Sequence, residues 1–306
     1  MKAQSGFFTV VTEAGDVLCQ VRGRLKQTKR HTDLVAVGDW VEITFQQEGK
    51  GIIENVAPRR QVLSRTRPTA ADRRYLAADH EQVLVANPDQ MLLVFSIKQP
   101  APSLRKLDRF LVIAEKNKLP AIVCVNKIDL GTASAAQQLF QPYQEIGYPI
   151  LYTSAVRGDG LPELWACLHN KVSVLTGSSG VGKTSLLNSL QPGLGLRVKQ
   201  VSQATEKGMH TTRYAELIPL TGGGYVADTP GIRSLALYDL EAGELDGYYR
   251  EIAPFVSHCA FSDCSHRHEE HCAVRAAVAE GRIAPARYDS YLRLREELEA
   301  LDKAVY

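Results

Sequence analysis

The stretch VSVLTGSSGVGKTSLLNSL, residues 172–190, decides the reading of this chain. A short apolar run, a glycine-rich turn ending in Gly-Lys-Thr and a helical segment follow one another without a gap. That is the strand–loop–helix order in which backbone N–H groups turn inward around phosphate oxygens and a helix N-terminus adds partial positive charge. GSSGVGKT (177–184) fits the spacing G-x-x-x-x-G-K-[ST]. Gly177, Ser178, Ser179, Gly180, Val181, Gly182 and Ser185 are the candidates for the loop wall around the phosphates. Lys183 is placed to reach the β- and γ-phosphates, and Thr184 to ligate Mg²⁺.

A phosphate loop does not choose between ATP and GTP; the residues upstream do. The apolar run AIVCV (121–125) is followed by NKID, with Asn126, Lys127 and Asp129. A carboxylate there accepts hydrogen bonds from guanine N1–H and the exocyclic amine. Adenine offers an acceptor at N1, so ATP would leave a buried carboxylate unpaired, at a cost of several kcal/mol. Asn126 and Lys127 brace the loop and cover the base. After the next strand, PILY (149–152), comes TSA, in which Ser154 and Ala155 complete the base site and the Ala155 N–H reaches for guanine O6.

Downstream of the phosphate loop lie HTT (210–212) and DTPG (228–231). Asp228 is placed to hold Mg²⁺ through water, and the Gly231 N–H to contact the γ-phosphate. Thr211 or Thr212 supplies a second Mg²⁺ ligand from a loop that orders with GTP. Many GTPases carry a glutamine after DxxG to orient the attacking water; here the residue is Ile232, which cannot. His210 is the nearest replacement, so the candidate catalytic set is Lys183, His210, Thr211 and Asp228.

The order of these motifs is unusual. Base-reading and SA motifs precede the phosphate loop, so the cycle of an ordinary GTPase is cut elsewhere. Apolar runs at 91–97, 121–125, 149–152 and 172–176 alternate with helical patterns, which predicts a doubly wound α/β sheet. Residues 213–228 read as a hairpin within it. The first 65 residues hold short alternating segments, FFTVV, VLCQVRG, DWVEITF and GIIENV, at the spacing of a small β-barrel. Between the second and third lies a basic loop with Arg22, Arg24, Lys26, Lys29 and Arg30. Residues 66–90 read as a connector.

Charge is uneven. Residues 1–75 are net +5 and residues 241–306 net −5, so the N-terminal part is the better candidate for touching a phosphate backbone. No apolar run approaches the ~18 residues of a membrane span, and the N-terminus lacks a signal-peptide pattern. The expectation is a cytoplasmic monomer with no membrane partner.

Three of the six cysteines cluster in C-x4-C-x-H-x5-C, comprising Cys259, Cys264, His266 and Cys272. Three thiolates and an imidazole form a closed tetrahedral set suited to one structural zinc ion. His258, His268 and His271 are alternatives for the fourth ligand. Helical patterns at 273–280 and 285–302 follow.

Together with VGDWV (37–41) and LDRFL (107–111), these motifs resemble the RsgA (YjeQ) family of small-ribosomal-subunit biogenesis GTPases across nearly the whole chain. The resemblance implies an N-terminal OB-fold β-barrel (1–65), a circularly permuted P-loop GTPase domain (91–238) and a C-terminal helical zinc-binding domain (239–306). It implies binding of GTP and GDP with Mg²⁺, and GTP hydrolysis stimulated by the small ribosomal subunit. It also implies rRNA contact and a role late in subunit maturation. An alternative of a different class is an RNA-binding assembly factor that uses GTP mainly as a conformational switch. The DTPG motif is the last before the C-terminal segment, which suggests that the γ-phosphate state reaches that segment through residues 232–246.

Overall fold

The computed structural model describes residues 3–4, 6–26, 32–47, 49–67, 80–195, 216–228 and 240–305. At the N-terminus, β1 (Ala3–Gln4), β2 (Phe7–Thr12), β3 (Gly15–Val21), β4 (Val41–Gln47) and β5 (Lys50–Val56) form one sheet in the order β1-β2-β3-β5-β4. The β1-β2-β3 meander and the β4-β5 hairpin are antiparallel, while β3 and β5 run parallel, with Cys19 opposite Gly51. This connectivity is that of the five-stranded, partly open OB barrel. Alternate residues turn inward, so Val10, Val17, Cys19, Val21 and Ile53 make its core. The basic segment is not a plain loop. A short helix, α1 (Gly23–Lys26), begins there because Leu25 turns back onto the barrel core and its N–H bonds the Arg22 carbonyl at 3.0 Å. Arg22 pairs with Glu54 at 2.7 Å, whereas Lys29 and Arg30 lie outside the described residues.

Within the segment read as a connector the structure has a strand. β6 (Val62–Arg67) pairs antiparallel with β7 (His80–Ala86), and Leu63 and Val85 are fully buried in the same core as the central sheet. This hairpin is fixed to residues 32–39. Arg59 forks onto Asp39 through two 2.8 Å bonds, and the Ala86 N–H donates to the Val37 carbonyl at 2.8 Å.

The central sheet contains β8 (Gln90–Ser96), β9 (Ala121–Asn126), β10 (Ile150–Tyr152), β11 (Val172–Thr176), β12 (Glu216–Pro219) and β13 (Tyr225–Asp228). Its order is β10-β9-β8-β11-β13-β12, parallel throughout except for β12, which forms the expected hairpin with β13. Every residue of β8 and β9 is buried, as parallel strands covered on both faces require. Alternation sends Met91, Leu93 and Phe95 to one face, against α2 (Leu104–Lys116) and α3 (Ala133–Glu145). Leu92 and Val94 face the other side, against α4 (Leu161–Leu168) and α5 (Lys183–Leu190). Helix α4 runs into β11 through residues 169–171 alone, so the join closes where an ordinary GTPase has its two chain ends.

The C-terminal part is helical: a 3-10 segment (Ala242–Tyr248), α6 (Ala253–Val256), α7 (Ala273–Ala279) and α8 (Pro285–Val305). It packs on α2 through Tyr249, Tyr291 and Leu298, all nearly or fully buried. At the centre of that contact is a buried ion cluster. Arg287 bonds Asp108 of α2 and, at 2.6 Å, Glu251, while the Tyr143 hydroxyl donates to Asp108 at 2.7 Å. Burial alone would lower the Arg287 pKa, but the two carboxylates raise it, so the guanidinium stays charged. No helix among the described residues is long and apolar enough to cross a membrane.

Candidate functional site: a nucleotide cleft and a metal cluster

The parallel strands place Thr176, Asn126, Tyr152 and Asp228 at one edge of the sheet, their carboxyl ends. Strand succession reverses between β8 and β11, and ligands of open α/β sheets bind at such a switch point. Motifs far apart in sequence meet there. The Asn126 amide donates to the Val181 carbonyl at 2.9 Å, and the Lys127 ammonium donates to the Gly180 carbonyl at 2.7 Å. Base-reading and phosphate loops are thus one hydrogen-bonded body. Lys127, which makes that second bond, has a left-handed backbone conformation (φ 62°).

Around the base site, the Ser154 hydroxyl donates to Asp129 at 2.6 Å and holds that carboxylate. The Ala155 N–H, expected to face guanine O6, donates to Asn126 Oδ1 at 3.3 Å, the long end of the hydrogen-bond range. Thr153, to which the sequence reading gave no role, donates to the same oxygen at 3.2 Å from a fully buried position. Beneath it, Cys124 Sγ lies 3.4 Å from Thr153 Oγ1, and burial pushes that thiol up to about 12, so it stays neutral.

In the phosphate loop, Gly177, Gly180 and Gly182 all have positive φ. At Gly177 the reason is steric as well: a Cβ would stand 2.1 Å from the Val94 carbonyl oxygen. Gly177→Ala should therefore cost about 1–3 kcal/mol of stability and distort the loop. Urea unfolding and GTP titration of that variant check this; unchanged values in both would contradict the loop geometry. Lys183, the first residue of α5, points its ammonium into the loop, donating to the Gly177 and Ser178 carbonyls at 2.8 and 3.0 Å. Ser178, Ser179, Thr184 and Ser185 occupy the loop and first helical turn, with Val181 buried beneath. Asp228 ends β13, opposite Leu175 in register. His210, Thr211, Thr212, Gly231 and Ile232 lie outside the described residues.

The second cluster is in the C-terminal part. Cys259 follows α6, Cys272 caps α7, and Cys264 and His266 lie on the turn between. Their donor atoms all fall within 4.8 Å of one another. Zinc bonds of ~2.3 Å to sulfur and ~2.0–2.1 Å to nitrogen at tetrahedral angles separate two sulfurs by ~3.8 Å and nitrogen from sulfur by ~3.6 Å. Here Cys259 Sγ lies 3.9 Å from Cys272 Sγ and 3.6 Å from His266 Nδ1, and His266 Nδ1 lies 3.4 Å from Cys272 Sγ. The donor set fits the ion. Of the candidate histidines, His266 is fully buried in the cluster, whereas His258, His268 and His271 are exposed. Glu269 orders the turn by accepting from the Ser265, Arg267 and His268 N–H groups at 2.8–3.2 Å. Burial alone would raise its carboxyl, but the hydrogen bonds hold it well below the usual range.

Known proteins resemble this chain over nearly its whole length. The RsgA N-terminal domain model matches residues 1–53 and the RsgA GTPase model residues 56–238. A relative from Gemmatimonas aurantiaca, named small ribosomal subunit biogenesis GTPase RsgA, is 43% identical over 301 residues, 97% of this chain and 96% of that protein. One of the same name from Thermotoga maritima is 41% identical over 292 residues, 94% of this chain and 90% of the relative. The crystal structure of YjeQ from Thermotoga maritima superposes with a TM-score of 0.76 at 39% identity, covering 96% of this chain and 95% of that one. That of YloQ, described as a circularly permuted GTPase, gives 0.73 at 33% identity, covering 98% and 93%. Matched along its length in sequence and in overall structure, this chain belongs to the RsgA family of circularly permuted GTPases.

Proposed function

We propose that this chain is a cytoplasmic, monomeric GTP hydrolase that acts late in the assembly of the small ribosomal subunit, is stimulated by that subunit, and touches rRNA through its basic N-terminal barrel. The relatives' names supply the subunit. The observation that carries the nucleotide chemistry is the joining of the base-reading and phosphate loops by Asn126 and Lys127. Guanine enters between them. Asp129, held by Ser154, accepts from N1–H and the exocyclic amine, and Ala155 turns its N–H to O6. The N–H groups of residues 177–185 wrap the phosphates. Lys183 exchanges its carbonyl partners for β- and γ-phosphate oxygens, which stabilises the charge that develops as the γ-phosphoryl transfers to water. Thr184, Thr211 or Thr212, and Asp228 through water, would hold Mg²⁺, which neutralises charge on the β- and γ-oxygens. The Gly231 N–H contacts the γ-phosphate, and His210 orients the attacking water. Cys259, Cys264, His266 and Cys272 would hold one structural zinc ion, with no open coordination position.

A second reading, GTP as a conformational ligand with little turnover, is favoured by Ile232 at the position of the usual glutamine. Co-sedimentation with isolated small subunits tests the partner. Retention with a non-hydrolysable GTP analogue and release with GDP is the expected result. Equal retention in both states, or none, contradicts the proposal. Binding through phosphate contacts should also weaken steeply with salt.

A further inference from the structure

We propose that Asp246 is the positioning residue that decides which ring nitrogen of His266 faces the thiol cluster, and that it couples metal loading to the Ala242–Tyr248 segment. The proposal rests on the metal reading of the cluster given above. His266 Nε2 lies 3.1 Å from Asp246 Oδ2. A carboxylate only accepts, so Nε2 carries the proton and Nδ1 presents its lone pair. Nδ1 is the atom that lies 3.6 and 3.4 Å from the Cys259 and Cys272 sulfurs. The ring cannot swing to another partner. It is fully buried, Tyr291 stands 5.9 Å from it centroid to centroid, and the Tyr288 hydroxyl bonds the His266 carbonyl. A carboxylate on the far side of a ligating imidazole fixes its tautomer and raises its basicity.

Position gives this bond a second consequence. Asp246 sits in the 3-10 segment whose Ala242 and Leu245 are buried, and the Tyr249 N–H donates to its carbonyl at 3.3 Å. In chain order that segment lies between β13, which carries Asp228, and the cluster. An ion that holds His266 therefore also holds the end of the link from the nucleotide edge of the sheet.

Zinc affinity, read by competition with a chromophoric chelator, tests the first part. Asp246→Ala should weaken binding by about 10–100-fold. The near-isosteric Asp246→Asn should weaken it less, with circular dichroism confirming its fold. Long-range ¹H–¹⁵N spectra should show Nε2 protonated in the unaltered protein and a tautomer mixture in Asp246→Ala. Unchanged affinity and tautomer in both variants overturn the assignment. Unaltered protein that takes up no stoichiometric zinc overturns the metal reading itself, a separate result. For the coupling, chelation should raise amide exchange across residues 242–249; exchange indifferent to metal overturns that part.

Discussion

Lys183→Ala should lower the affinity for GTP by roughly 10²–10⁴-fold. The ammonium already makes two short bonds inside the loop, to the Gly177 and Ser178 carbonyls, so its position is set before any phosphate arrives. Charge-assisted hydrogen bonds contribute about 1.5–3 kcal/mol each. Two of them, to the β- and γ-phosphates, account for the stated range at about 1.4 kcal/mol per decade. Among the described residues, Lys127, the other lysine at the loop, is already engaged with the Gly180 and Gln99 carbonyls. Titration with a fluorescent GTP analogue gives the number, and affinity near that of the unaltered protein would refute the phosphate-loop assignment.

Removal of metal from the cluster should have the largest effect on stability. Structural zinc contributes about 10–16 kcal/mol to the folding of small peptides. This chain also has a conventional core around Tyr249, Tyr291 and Leu298, so the loss should be local. Chelation, or Cys272→Ser, should abolish stoichiometric zinc, lower the melting temperature and unfold residues 257–273. Helix α8 should stay on α2, because Arg287 remains clamped between Asp108 and Glu251. Elemental analysis with residue-resolved hydrogen exchange reads both outcomes. A chelated protein with unchanged melting and exchange would show that the cluster stands without metal.

The clamp also alters how the nucleotide state can reach the C-terminal helices. Motif order suggested a direct relay through residues 232–246. With α8 fixed to α2, a swing of the whole helical part would have to break a buried ion cluster, and parting such partners costs several kcal/mol. The proposed relay would leave that cluster intact if it moved only the Ala242–Tyr248 segment.

Much of this was legible in the sequence because the chemistry is local. GSSGVGKT, NKID and TSA each follow a strand, and parallel strands deliver their ends to one edge. The Cys/His spacing likewise singled out the three cysteines, with His266 among several histidines, whose donor atoms the fold gathers within 4.8 Å. What escaped the sequence was tertiary. Asp246 precedes His266 by a stretch with no ligand spacing, and Thr153 shares Asn126 Oδ1 only because β9 and β10 are neighbours. Asp108 and Arg287 stand far apart in the sequence and pair only because α8 packs on α2. Strand β7, HEQVLVA (80–86), lies in the stretch that reads as a connector because its Val83–Ala86 run is buried without alternation, and that burial depends on residues 32–39.

GTP turnover measured with and without isolated small subunits, at two salt concentrations, tests the central claim most directly. The account predicts slow hydrolysis by the free protein, severalfold or greater acceleration by subunits, and loss of that acceleration as salt rises. Intact GTP binding with turnover that small subunits leave unchanged would contradict it.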